Sequence, residues 1–274
     1  MGNLQMIVNA DDLGLTPGVS AGILELARAG SVTSTSLLVN MPGSEEALEQ
    51  ALEIGLDVGM HLNLCAGRPL TDPAAIPTLV DAQGNFASQG EILRRRTLGR
   101  LNLHEVEREW TAQIEWMLRR GAMPSHVDSH CHLHSVHGLY PLALRLARRH
   151  GIRGLRSAFA GYHLQVGSRL RFRMRRDART ADGVFRTDHF SVLTNLRPVA
   201  SMVPIAALLR SLPPGVHEFV CHPGHVDDHL RAIDPLTVQR ELELQLLAGP
   251  HFRDSLARLG IALTSWREAG RAGA

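Results

Sequence analysis

The sequence predicts an α/β protein built on a mainly parallel sheet or barrel. Three observations predict it. Short apolar runs alternate with stretches of helical periodicity from the first residues onward. Glycines fall just past the ends of the helical stretches. Polar residues able to do chemistry recur where the apolar runs stop, as they do at the carboxyl ends of parallel strands.

The elements follow in order. Leu4 to Ala10 is short, apolar and partly β-branched, the pattern of a buried strand, and it runs straight into Asp11-Asp12. Thr16-Pro17 supplies an N-cap and a first helical position; Val19, Ile23, Leu26 and Ala27 keep helical spacing, and Gly30 fits the C-terminal end. Val32 to Val39 predicts a second strand, Ser44 to Ile54 a helix closed by Gly55, and Leu56 to Leu62 a third strand. Residues 63–90 predict a long loop rich in Pro and Gly, and ordered loops of that length are usually functional. His104 to Arg120 predicts a helix with Val106, Trp110, Ile114 and Met117 on one face. A strand over Ser125 to His130, a helix over Leu139 to His150 and a strand over Ile152 to Arg156 come next. Residues 158–200 are the least regular and carry an Arg-rich run at 169–176, readable as a solvated face or as a patch for an anionic or amphiphilic substrate. Pro198 to Leu212 predicts a helix, Val216 to Cys221 a strand, Leu236 to Leu247 a helix carrying Glu241 and Glu243, and Ile261 to Thr264 a last short strand before a C-terminal helix. No repeat or linker divides the chain, so we expect a single domain over 1–274 with an inserted lobe around 158–200.

Composition narrows the chemistry. The 274 residues carry 29 basic and 27 acidic side chains, a formal charge of +2, which is not the balance of a general nucleic-acid binder. No apolar run approaches ~18 residues, and the start lacks a basic and then apolar leader, so neither membrane insertion nor secretion is expected. The chain contains no lysine, which excludes Schiff-base and P-loop lysine chemistry. Its three cysteines, Cys65, Cys131 and Cys221, cannot all pair internally and fit a reducing cytoplasm. They are expected to be small packing residues, with strand alternation turning Cys131 away from the neighbouring histidines; a thiol ligand or nucleophile is the alternative. Histidine is in excess at 15 and clustered.

Four polar clusters share one position at predicted strand ends: Asp11-Asp12; His61; the run His126, Asp128, His130, His132, His134; and His222. Residues far apart in sequence are therefore expected to converge on one pocket. Asp with two or more His is a divalent-metal donor set. An Asp after a strand is often only a helix cap, and a lone His at a strand end is often a hydrogen-bonded core residue. Four histidines within nine residues are harder to bury without partners, and that run favours metal binding.

The motifs I-V-N-A-D-D-L-G at 7–14, G-M-H-L-N-L at 59–64, P-S-H-V-D-S-H-C-H-L-H at 124–134 and C-H-P-G at 221–224 resemble, in order, those of the YdjC-like carbohydrate deacetylases, which include chitooligosaccharide and hopanoid-associated deacetylases. The resemblance implies a distorted (β/α) barrel of the glycoside hydrolase/deacetylase type, one divalent metal ion and hydrolysis of an N-acetyl group from an amino sugar. It implies Asp12, His61 and His130 as ligands, Asp11 as general base and, by analogy with other metal-dependent sugar deacetylases, His222 as general acid. Asn63, His126, Asp128, His132 and His134 are then candidates for orienting the ligands or touching substrate. Two imidazoles favour zinc over magnesium. The expected partner is a small N-acetylated sugar or glycoconjugate, acted on in the cytoplasm; a homo-oligomer stays open, because an apolar helix face buries as readily against its own barrel. Two alternatives compete: another mononuclear metal hydrolase, such as a phosphoesterase or amidohydrolase, and a non-catalytic metal- or sugar-binding protein.

Overall fold

The computed structural model describes residues 4–157, 183–196 and 201–272. Among the described residues eight strands form one sheet, and every strand pair in it is parallel. They are β1 (Leu4–Leu13), β2 (Ser34–Leu37), β3 (Asp57–Leu62), β4 (His126–Ser129), β5 (Gly154–Leu155), β6 (His189–Val192), β7 (Gly215–Cys221) and β8 (Ala262–Thr264). Their order is β5-β4-β3-β2-β1-β7-β6, with β8 added beside the start of β1. One side of β1 is shared: β8 pairs with Gln5–Ile7, and β2 takes over from Asn9. The two edges of this curled sheet approach each other through Phe185, which bridges to Gly154 and exchanges backbone hydrogen bonds with Arg153 and Leu155. The result is the parallel α/β architecture that the alternation predicts, in the distorted-barrel form that the family resemblance implies.

Helices wrap the outside: α1 (Pro17–Arg28), α2 (Ser44–Glu53), α3 (Gln89–Thr97), α4 (Leu103–Arg119), α5 (Leu139–Arg149), α6 (Met202–Ser211), α7 (Asp228–Ile233), α8 (Val238–Ala248), α9 (Pro250–Arg258) and α10 (Trp266–Ala272). The Thr16 side chain accepts from Val19 N–H, and Pro17 opens α1 as expected. β1, β3 and β4 are apolar where they face helices and polar at their ends, and almost every side chain in them is buried. Among the described residues, no helix is long and apolar enough to cross a membrane.

The loop after β3 is ordered by one face of α4. Glu109 accepts from the N–H groups of Leu70 (3.0 Å) and Thr71 (2.9 Å). Glu105 accepts from Thr78 N–H and its hydroxyl, each at 2.7 Å, and Gln113 exchanges bonds with the Asn63 backbone. These three side chains recur at i, i+4, i+8, so they form one ridge. They satisfy backbone groups that a long loop would otherwise bury unpaired.

Three features depart from the sequence reading. β1 continues through Asp11-Asp12 instead of stopping before them. α3, α7, α9 and β6 were not predicted; β6 is four residues inside the segment read as irregular. The Arg-rich run 169–176 and most of the expected lobe lie outside the described residues.

Candidate active site

The strand ends converge as expected, because β1, β3, β4 and β7 are neighbours or near neighbours running the same way. Asp11, Asp12, His61, His130, His132 and His222 all line one cavity of about 1180 Å³. Adjacent strand residues ordinarily face opposite sides. Both aspartates reach this cavity because Asp12 adopts φ 74° and the pairing register shifts between Ala10 and Leu13. Asp is one of the few residues that tolerates that left-handed conformation.

One oxygen of Asp12 is the focus. It lies 3.3 Å from His61 Nε2 and 2.8 Å from His130 Nδ1. Donor atoms of Asp12, His61 and His130 all lie within 4.8 Å of one another, which fits a single cation. On its other side, His61 Nδ1 pairs with Asp128 at 2.8 Å. That contact fixes the ring and leaves Nε2 facing Asp12, the arrangement of a carboxylate-oriented metal ligand. Burial opposes charge on His130, but Asp12 outweighs it and pushes the imidazole up to about 10; His61 is raised in the same way by Asp128 and Asp11.

Asp11 is placed differently. Its oxygens accept two bonds of 2.7 Å from Arg156, and one also accepts from Asn9 at 2.8 Å. Burial works against its ionisation, and the Arg156 guanidinium overrides it, so the carboxyl sits below its ordinary range. The Asp11 Oδ2 atom lies 4.0 Å from His61 Nε2 and 4.0 Å from His222 Nε2. A carboxylate therefore stands between the ligand set and the candidate acid. His222 is held from behind: its Nδ1 faces the Thr194 hydroxyl at 3.0 Å, that hydroxyl donates to Glu243 at 2.6 Å, and Glu243 also accepts from the His222 backbone N–H at 2.6 Å. With the Thr194 proton committed to Glu243, Nδ1 is the donor and Nε2 faces the cavity.

The YdjC-like protein family model matches residues 5–258. The chain belongs to the YdjC-like family. Among relatives of this family, a carbohydrate deacetylase of Geobacillus stearothermophilus is 34% identical over 269 residues, covering 96% of each chain. One from Vibrio vulnificus is 33% identical over 268 residues, covering 97% of this chain and 96% of its own. A crystal structure from Enterococcus faecalis, provisionally described as a cellobiose-phosphate cleavage protein, has 30% identity and a TM-score of 0.85 over 96% of this chain and 98% of that one.

The remaining candidates of this YdjC-like chain are spread over several roles. Asp128 is buried and orients His61 while accepting from Ser36 at 2.7 Å. His126 is buried against the floor of the barrel, bonded to Ser36 and Ser125 and stacked on Trp266 at 4.6 Å. Its ring lies where a Cβ on Gly59 would fall, at 2.2 Å, so glycine is required there. His134 is buried, bonded to Ser129 and to the Arg156 carbonyl. Asn63 is buried and ties Asn40, Cys65 and Ala66 together. Of these five candidates, His132 lines the cavity. Burial, with the Arg156 charge, pushes it down to about 3, so it stays neutral.

Sequence reasoning missed four residues: Arg156, Thr194, Arg240 and Glu243. Arg240 donates at 2.6 Å to the second oxygen of Asp12 and at 2.6 Å to Asp234. Its spacing from Glu243 on α8, i to i+3, puts both on one face, and two charged residues in an otherwise apolar helical stripe were the available signal.

The cysteines also depart from expectation. Cys221 is buried, but Cys65 is half-buried and Cys131 is exposed. β4 ends at Ser129, and Cys131 and His132 both adopt positive φ, 54° and 52°, so strand alternation no longer governs Cys131.

Proposed function

We propose that this protein is a metal-dependent hydrolase that removes the N-acetyl group from an amino sugar or its conjugate, releasing acetate. The observation that carries the reading is the position of Asp11, 4.0 Å from both His61 and His222, beside the convergent Asp12, His61 and His130. The sugar comes from the relatives named carbohydrate deacetylases.

A divalent cation held by Asp12, His61 and His130 would supply Lewis-acid polarisation of the acetyl carbonyl and of the attacking water. Two imidazoles favour zinc or a similar borderline ion over magnesium. Asp11 accepts the proton of that water, and Arg156 keeps it ionised and aimed. His222 Nε2 donates to the departing nitrogen, which leaves poorly as an anion. For that donation the ring carries a proton on both nitrogens; the Thr194 hydroxyl, backed by Glu243, accepts from Nδ1–H and keeps Nε2 turned to the cavity. The cavity exceeds the roughly 300–1,000 Å³ of common small-ligand pockets. Its wall includes Trp116 with Arg120 stacked 3.6 Å above it. That platform suits a second sugar ring or an aglycone. The chain's three free cysteines fit a reducing cytoplasm.

A phosphoesterase is the second reading, favoured by the phosphate in the description of the Enterococcus relative. Two-metal phosphoester chemistry would need Asp11 and Asp128 beside His61 as a second donor set. Arg156 Nη1 already lies 2.7 Å from both carboxylates and fills that position with a protein cation.

The test is acetate release from metal-loaded protein over a panel of N-acetylglucosamine oligomers and conjugates, wild type against Asp11→Asn. We expect release in wild type and a loss of about 10²–10⁴-fold in the variant, with metal content unchanged. Phosphate released from sugar phosphates, and no acetate from any member, would move the assignment to the second reading.

A further inference from the structure

We infer that Cys65, Cys131 and His130 form a second site for a thiophilic cation, sharing His130 with the Asp12–His61–His130 set. One sulfur from each cysteine and one ring nitrogen of His130 lie within 4.8 Å of one another. Two thiols and an imidazole are a donor set for zinc, cadmium or copper(I), not for magnesium or calcium. With bonds of about 2.3 Å, two donors on one ion sit no more than about 4.6 Å apart, so small side-chain movements close the triangle.

The local fold brings the three together. Two consecutive non-glycine residues at positive φ, Cys131 and His132, turn the chain immediately after His130. Such conformations persist only where surrounding structure imposes them, and they cluster at functional sites. The turn puts Cys131 in the wall of the cavity with Cys65, where its thiol bonds both the Cys65 thiol and His130. Cys65 is fixed in turn by its N–H, which donates to buried Asn63 at 3.0 Å.

A divalent ion entering the triangle takes both sulfurs as thiolates, and the two thiol protons leave to solvent. A thiophilic ion that takes His130 Nδ1, the nitrogen facing Asp12, removes it from the first set, so the second site is inhibitory.

Reduced protein, freed of metal and excess reductant, is titrated with Cd²⁺ while thiolate-to-cadmium charge-transfer absorption is followed. Wild type gains the band. Cys65→Ser and Cys131→Ser each lose it or require at least about tenfold more cadmium. Cys221→Ser, whose thiol is buried, behaves as wild type. Circular dichroism confirms that each variant is folded. Absence of the band in wild type, or its persistence in both Cys65→Ser and Cys131→Ser, overturns the site. In a second arm, cadmium inhibition of the metal-loaded protein is at least about tenfold weaker in Cys131→Ser, each protein judged against its own cadmium-free rate. Equal inhibition in both overturns the sharing of His130. The absorption arm needs no substrate, so it stands or falls separately from the deacetylase reading.

Discussion

At the scale of single residues, the site is organised by side chains that hold other side chains. Asp128 holds His61, Arg156 holds Asp11, and Thr194 with Glu243 holds His222. Thr194 separates geometry from packing most cleanly, because Thr→Val keeps the shape and deletes the hydroxyl. Thr194→Val leaves His222 Nδ1 without its acceptor and frees the ring to change tautomer. We expect kcat for acetate release to fall about 10–100-fold, less than the full contribution of a general acid. KM and metal content should stay near wild type, and Thr194→Ser should restore the rate. A Thr194→Val enzyme with unchanged kcat would mean that Thr194 does not position His222 for the reaction. The convergence of Asp11, Asp12, His61, His130 and His222 on one cavity was legible in the sequence, since they sit at strand ends and in motifs. Their holders were not. Arg156, Thr194 and Glu243 come from β5's end, the turn after β6 and α8, and only the curling of the sheet brings them within hydrogen-bond distance of the site. Cys131 shows a different limit: its direction depends on two left-handed residues, and strand periodicity carries no information about those.

Among the elements, α4 does two jobs. Val106, Trp110, Ile114 and Met117 are buried, as their spacing predicts. The ridge Glu105, Glu109, Gln113 is buried too, and it organises the loop that supplies Cys65 and Arg68 to the cavity wall. An i, i+4 series of polar residues reads in a sequence as a solvated face, so its burial was invisible there; it becomes intelligible once a long loop needs its N–H groups paired. The same reasoning explains why the loop between β3 and α3 was correctly expected while its order was not explained. Glu109→Ala strands the N–H groups of Leu70 and Thr71 beside a buried helix face. We expect about 1–3 kcal/mol of destabilisation, read by urea unfolding. Hydrogen exchange at Leu70 and Thr71 should accelerate much more than exchange in β1. Equal acceleration in both places would mean that α4 supports the whole barrel instead of this loop.

Across the whole molecule, one guanidinium ties the sheet together. Arg156 follows β5 at one edge, yet it bonds Asp11 on β1, Asp128 on β4 and Glu218 on β7. It therefore spans the gap in strand pairing with charge. One cation faces three buried carboxylates, and they do not all ionise equally. Asp11 and Asp128 lie below the ordinary range, whereas burial and those two neighbours push Glu218 up to about 7 against the pull of Arg156. The consequence is a pH-dependent stability with a definite sign. In the unfolded chain Glu218 titrates at its ordinary value of 4.5, so between 4.5 and about 7 the folded protein holds a proton that the unfolded chain has lost. Folding is then linked to proton uptake. The contribution is fully present below 4.5 and is lost as pH rises through about 7. Glu218→Gln fixes the neutral form permanently. Its urea stability should therefore lose about one proton's worth of pH slope in that interval, relative to wild type. Above pH 7 the variant should be the more stable of the two, because the wild type there buries an additional charge. Parallel stability curves for the two proteins across the interval would instead mean that Arg156 keeps Glu218 ionised throughout, making the hub a fully charged network.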